Sequence, residues 1–169
     1  MLSIPQSRTA AAQARFRIDV PNSRPRAIKL VALDPAGEAI ARTLMRGEWT
    51  RTSFHLASAY ISARPASAFS VADWLEDLRS RVHCLVDEID TADVVVMVSR
   101  AGDVTDAASI IGEACLAQGV TATALVLLDP QTNDAQLAEA LSSLRPFVSM
   151  LVVAHDADCV RSVLDAFGA

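Results

Sequence analysis

From Ala27 onward, apolar runs of strand length alternate with stretches whose apolar residues recur at helical spacing. Ala27–Leu33, "AIKLVAL", has the length of a strand, and Ala36–Arg46 carries Ile40 and Leu44 four residues apart, as a short helix requires. Ser53–Ile61, "SFHLASAYI", alternates and predicts a second strand. Val71–Ile89 gives the longest helical pattern, with Val71, Trp74, Leu75, Leu78, Val82, Leu85, Val86 and Ile89 on one face and Ser70 placed to cap it. Three strand–helix pairs follow. Ala92–Val98 leads to a helix over Thr105–Gln118 that Gly119 ends. Val120–Leu128 leads to Asn133–Leu144, and Val148–Ala154 to Ala157–Phe167.

Strands separated by helices predict a parallel sheet with right-handed crossovers. The runs "VVVMV", "ALVLL" and "MLVVA" have no polar alternation, which suits strands buried on both faces. The fold class expected is α/β: a doubly wound, mostly parallel sheet of about five or six strands, Rossmann-like, with helices on both faces. Residues 27–169 form that single domain. Residues 1–26 differ, with Arg8, Arg15, Arg17, Arg24 and Arg26 against a single acid, Asp19. This stretch reads as a mobile or docking arm, and alternatively as a targeting segment.

Composition narrows the function classes. The chain is 51% hydrophobic but only 5% aromatic, so the core is aliphatic. A net charge of −5 argues against a nucleic-acid binder, which needs a basic face. No apolar run approaches the ~20 residues of a membrane helix, and a soluble, cytoplasmic protein is expected. Cys84, Cys115 and Cys159 are odd in number, far apart and without a CxxC pair, so they read as small core residues in a reducing compartment. His55, His83 and His155 are equally scattered and show no metal-ligand spacing. Trp49 and Trp74, near helix boundaries, read as packing anchors.

The chemistry, if any, belongs to the strand ends. Asp34, Asp103, Asp106, Asp129 and Asp156 all fall at or just after the carboxyl ends of predicted strands, the edge where open α/β sheets bind ligands. Two readings stand. Aspartate is a common helix cap and turn former. A cluster of carboxylates also suits Mg²⁺ or a cationic ligand, with Arg100 as the local counter-charge. The stretch "VVVMVSRAGDVTDAASIIGE" (Val94–Glu113) is strand, loop and helix in the arrangement that cradles phosphate, yet its loop has one glycine and two aspartates.

That stretch and its flanks, "LVDEIDTADVVVMVSRAGDVTDAASIIGEACLAQGVTATALVLLDP", resemble the nucleotide-binding half of the tubulin-like bacterial cell-division GTPases, the FtsZ type. "LSSLRPFVSMLVVAHDAD" and "AIKLVALDPAGEAIARTLM" are similar to further segments of that family in the same order, so the resemblance runs from about Ala27 to Asp158. It implies a Rossmann-like GTP-binding domain. The family's GGGTGTG signature falls on Arg100, Ala101, Gly102, Asp103, Val104, Thr105 and Asp106, and its first glycine-rich loop on Asp34, Pro35, Ala36 and Gly37. Few glycines remain, and backbone N–H groups approach phosphate only where no Cβ intervenes. Asp103 or Thr105 instead suits capping of the helix that starts there.

The resemblance also places the family's catalytic acidic motif beyond the last residue here, so hydrolysis by that mechanism is not expected. The leading expectation is a non-catalytic binding or assembly module with degenerate phosphate loops. It would need no cofactor and would act as a homo-oligomer or with a protein partner. The alternative is a nucleotide- or metal-binding sensor or enzyme that takes GTP, GDP or Mg²⁺ in the strand-end crevice. There Asp34, Gly37, Arg100, Gly102, Asp103 and Thr105 would hold the ligand. No residue is assigned a catalytic role.

Overall fold

The computed structural model describes residues 25–56, 87–102 and 107–169. Residues 1–24 of the N-terminal arm, the end of the second predicted strand, most of the long helix with Ser70 and Trp74, and Cys84, Asp103, Thr105 and Asp106 lie outside them. Among the described residues five parallel strands form one sheet: β1 (Ile28–Ala32), β2 (Thr52–Leu56), β3 (Val94–Arg100), β4 (Thr121–Leu127) and β5 (Met150–Ala154). Their order is β2-β1-β3-β4-β5, one of the two common doubly wound orders. Among the described residues the helices given whole are α1 (Pro35–Leu44), α2 (Ala107–Gln118), α3 (Asp134–Leu144) and α4 (Ala157–Phe167), with a 3₁₀ turn over Arg145–Phe147.

β3 and β4 sit in the middle because their side chains suit burial on both faces. Along β3 every residue before Arg100 is buried, and along β4 only Thr121 is exposed. Alternate residues feed two separate cores. Val31, Val95, Met97, Ala124 and Val126 pack with Ile111, Cys115, Ala140 and Leu144, so α2 and α3 cover this face. Ile28, Leu30, Val96, Val98 and Leu125 pack with Ala41, Leu44, Val160 and Leu164, which places α1 and α4 on the other. The chain therefore changes face after β1. This doubly wound arrangement is the α/β Rossmann-like class that the alternation of strands and helices predicts.

Most element boundaries lie within two residues of the pattern. α3 starts one residue later than expected because Asn133 caps it, in a reciprocal capping box with Gln136. Gly119 follows α2 with φ +70°, the left-handed stop that the sequence suggests. The fifth strand begins at Met150 rather than Val148, since Pro146 fits the first turn of the 3₁₀ segment and holds the chain out of the sheet. Trp49 is the anchor expected of it. Its Nε1 donates to the Leu44 carbonyl at 2.7 Å, its ring meets Phe54 edge-on, and the Arg161 guanidinium lies 4.9 Å from its centroid. Cys115 is buried, and burial pushes its thiol up to about 11, so it is a core residue rather than a nucleophile.

Gly112 shows how closely α2 packs. A Cβ there would stand 2.4 Å from the Phe147 Cβ, which is fixed to the backbone and cannot swing away. Overpacking of this kind costs about 1–3 kcal/mol. Alanine's helix propensity returns only ~1 kcal/mol. Gly112→Ala is therefore expected to lower the urea midpoint, with a slope unchanged from the parent; a raised midpoint would show that the α2–Phe147 contact is looser than described.

Candidate functional site

In a 2-1-3-4-5 sheet the strand order reverses between β1 and β3, and the carboxyl ends of those two strands flank the crevice where such folds take a ligand. Here the crevice holds Asp34. The residue lies two positions beyond β1 as the N-cap of α1, has extended backbone angles (φ −144°, ψ 170°) and is 5% exposed. Its Oδ1 accepts from the Gly37 amide at 2.7 Å, and its Oδ2 accepts from the Arg100 amide at the end of β3. Pro35 in the first turn of α1 needs no N–H partner, so the carboxylate serves the donors that do. A negative group at a helix N-terminus also gains from the helix dipole. A buried carboxylate is costly unless hydrogen-bonded. These contacts meet that condition.

Gly37 is held for a second reason. A Cβ on it would lie 2.6 Å from the Val98 carbonyl oxygen and 3.2 Å from its carbon, both backbone atoms of β3. The missing side chain thus lets α1 rest against the central strand, while its N–H is spent on Asp34. The Leu33 amide donates to the same Val98 carbonyl at 2.9 Å, completing the join between β1 and β3.

The other strand ends are built alike. Asp156 caps α4, its Oδ1 accepting from the Cys159 amide at 2.8 Å. Asn133 caps α3 through the Gln136 amide at 2.9 Å. Asp129 folds the β4–α3 loop: its Oδ1 accepts from the Gln131 amide at 2.7 Å, and its amide donates to Thr132 Oγ1 at 3.0 Å. The aspartates of the strand-end edge that are described serve as caps and turn formers. They do not converge: among the described residues no three His, Cys, Asp or Glu side chains form a metal-ligand group.

Of the six residues singled out from sequence, Asp34, Gly37 and Arg100 meet at the β1/β3 switch. Gly102 lies just beyond β3, and Asp103 and Thr105 are outside the described residues. Gly102 has φ +97°, a conformation that favours glycine. A Cβ there would stand 3.2 Å from Gln136 Nε2. Arg100 turns its side chain the other way along the edge, with Nη1 3.4 Å from Asp129 Oδ2. Together they border a polar cleft of about 180 Å³ at the ends of β3 and β4, lined also by Gln131, Thr132 and Gln136. Gln131, Thr132 and Gln136 carry no motif, and only the folded loop brings them to Arg100.

A second polar group lies over the β1–β2 edge, on the α2/α3 side of the sheet. Lys29 Nζ donates to Glu88 Oε2 at 2.6 Å, and Ser53 Oγ lies 3.0 Å from His55 Nε2. Glu88, itself exposed, is the partner of the mostly buried Lys29, whose ammonium holds its carboxyl below the usual range. His55 is held below the ordinary histidine value, first by burial, against an opposing pull from Glu88 and with a further push down from Lys29. The alternation of "SFHL" already puts Ser53 and His55 on one face, but nothing local pairs them with Lys29.

Two outcomes follow from these contacts. Asp34→Ala removes a cap and leaves the Arg100 amide without its acceptor, and a loss of about 2–4 kcal/mol in chemical denaturation is expected. A loss below about 0.5 kcal/mol, the size of an ordinary surface change, would mean that water replaces the carboxylate. His55 folds with its neutral form favoured. Its contribution is present above pH 6.5 and falls as pH drops from there through the lower folded value. His55→Gln should flatten that part of the stability profile, whereas an undiminished decline would place the titration elsewhere.

No protein-family model and no curated protein sequence matches the chain. Among solved structures, a candidate flavoprotein from Bacteroides eggerthii DSM 20697 matches with a TM-score of 0.43 at 15% identity, covering 85% of this chain and 99% of its own. A conserved protein from Enterococcus faecalis V583 matches with a TM-score of 0.45 at 13% identity, covering 83% of this chain and 96% of its own.

Proposed function

We propose that this chain is a non-catalytic binding or assembly module, related to the tubulin-like division GTPases and with one of its own carboxylates where they place a phosphate. The observation that carries this reading is the double contact of Asp34 with the Gly37 and Arg100 amides at the strand-order switch. A nucleotide phosphate in that position needs the same backbone donors. To gain them it must displace a buried carboxylate and then sit beside it, and like charges at close range in a poorly solvated site oppose one another strongly. Gly37 offers no relief, because the space beside it belongs to the Val98 backbone.

On this reading the switch point is filled by the protein and its surface carries the assembly role. The edges β2 and β5, and the exposed Ile110 and Leu116 of α2, are the features that support self-association or a protein partner. Two measurements test the proposal. Thermal melts with GTP, GDP, ATP, NAD and FMN, each with and without Mg²⁺, are expected to coincide with the melt of the protein alone. A rise of several degrees with any of them would overturn the self-filled site. Light scattering of the full chain across a concentration series is expected to show dimers or larger species, and a monomer at every concentration would remove the assembly half of the proposal.

A further inference from the structure

α2 is apolar nearly all the way round, with Glu113 as its one charged residue, whereas α1, α3 and α4 carry more than one each. A helix of that kind belongs in a core on every side. Here only one side is covered. Ala107, Ala108, Ile111 and Cys115 are buried, while Ile110 and Leu116 stand 43% and 83% exposed. We infer that a second copy of this chain covers the outer side of α2, in a two-fold pair that seats each Leu116 in the groove between α2 and Phe147 of the other copy. The inference rests on the assembly reading above and names the surface that carries it.

The groove is the first reason for choosing a copy of this chain as the occupant. It lies at the amino ends of β4 and β5, where Cys115, Val120, Ala122, Phe147 and Val148 line it and Leu116 stands on its rim. Phe147 is held in place by its close packing on Gly112. An aliphatic knob beside an apolar groove makes one surface self-complementary. A two-fold axis brings each knob to the other copy's groove, and the assembly closes at two copies. A partner that supplied only a knob would fill the groove and leave Leu116 in water.

Charge is the second reason. Glu113 lies one turn before Leu116 on the same side of α2, and Arg145 adjoins Pro146 on the opposite wall of the groove. Both are exposed, and among the described residues neither has an ion-pair partner. The two-fold pair sets Glu113 of each copy against Arg145 of the other, so charges that one copy leaves single are matched twice. Such complementarity fixes register, since a shifted pairing brings like charges together. The face lies at the opposite end of the strands from Asp34, so assembly and nucleotide binding are read independently.

Sedimentation velocity of the full chain over a concentration series tests the face. The parent is expected to dimerise. Leu116→Asp should weaken the dimer about a hundredfold, because both seats are lost at once. Its far-ultraviolet spectrum should match the parent's, since a side chain 83% exposed adds little to the fold of one copy. Glu113→Arg and Arg145→Glu should each weaken the dimer roughly tenfold by opposing like charges. Mixing these two variants in equal amounts should restore dimers of parental strength, because a mixed pair again sets opposite charges together at both contacts. A dimer that Leu116→Asp leaves intact would overturn the inference and move assembly to the sheet edges, with the assembly reading still standing. A mixture that fails to recover would overturn the two-fold pairing. A parent that is monomeric at every concentration would overturn both the inference and the assembly reading. If Leu116→Asp then lowered its melt, the groove would belong to a segment of its own chain.

Discussion

A single carboxylate ties the ends of β1 and β3 to the first turn of α1. Asp34 reaches from the end of β1 to the first turn of α1 with one oxygen and to the end of β3 with the other. Both contacts are main-chain, so they fix backbone positions rather than side-chain rotamers. They also fall where the chain changes from one face of the sheet to the other, the point at which a doubly wound fold otherwise leaves a gap. The close approach of α1 to Val98, possible only because Gly37 lacks a Cβ, depends on the same join. Without an acceptor at Asp34 the Arg100 amide and the helix N-terminus would need water or a ligand.

The same economy runs along the whole strand-end edge. Asn133 and Asp156 satisfy the N-termini of α3 and α4, and Asp129 closes the loop between β4 and α3. In a phosphate-binding relative of this architecture those free N–H groups recruit the ligand. Here each described junction supplies its own acceptor. The edge is thus acidic in composition yet offers no assembled cation site among the described residues, because the carboxylates are spread over separate junctions and turned inward to their own backbones. The polar cleft beside Arg100 is the exception, and it owes its shape to the rigid Asp129–Gln136 turn.

Much of this was legible in the sequence. Period and run length located the strands and helices, since burial on two faces leaves few polar residues in β3 and β4. Gly119 announced a helix stop through its position after a helical repeat, and Asp34 and Asp156 stood where caps belong. The partnerships were not legible. Asp34 and Arg100 are 66 residues apart, as is the pair formed by the Ala27 amide and Asp93, and only the parallel register of β1 with β3 brings them together. Lys29 and Glu88 are likewise 59 residues apart. Gly37 looked like a phosphate contact because a loop glycine has two possible uses, closeness to a ligand or closeness to a neighbouring backbone. Sequence does not distinguish them, whereas the 2.6 Å approach to Val98 does.

The central claim is that the backbone donors at the β1/β3 switch are already occupied. Hydrogen exchange at the Gly37 and Arg100 amides, followed with and without GTP and Mg²⁺, addresses it most directly. The account predicts that both amides are protected in the protein alone, exchange much faster in Asp34→Ala, and do not change when nucleotide is added. Fast exchange in the free protein that slows on adding nucleotide would contradict it, since the donors would then be waiting for a phosphate.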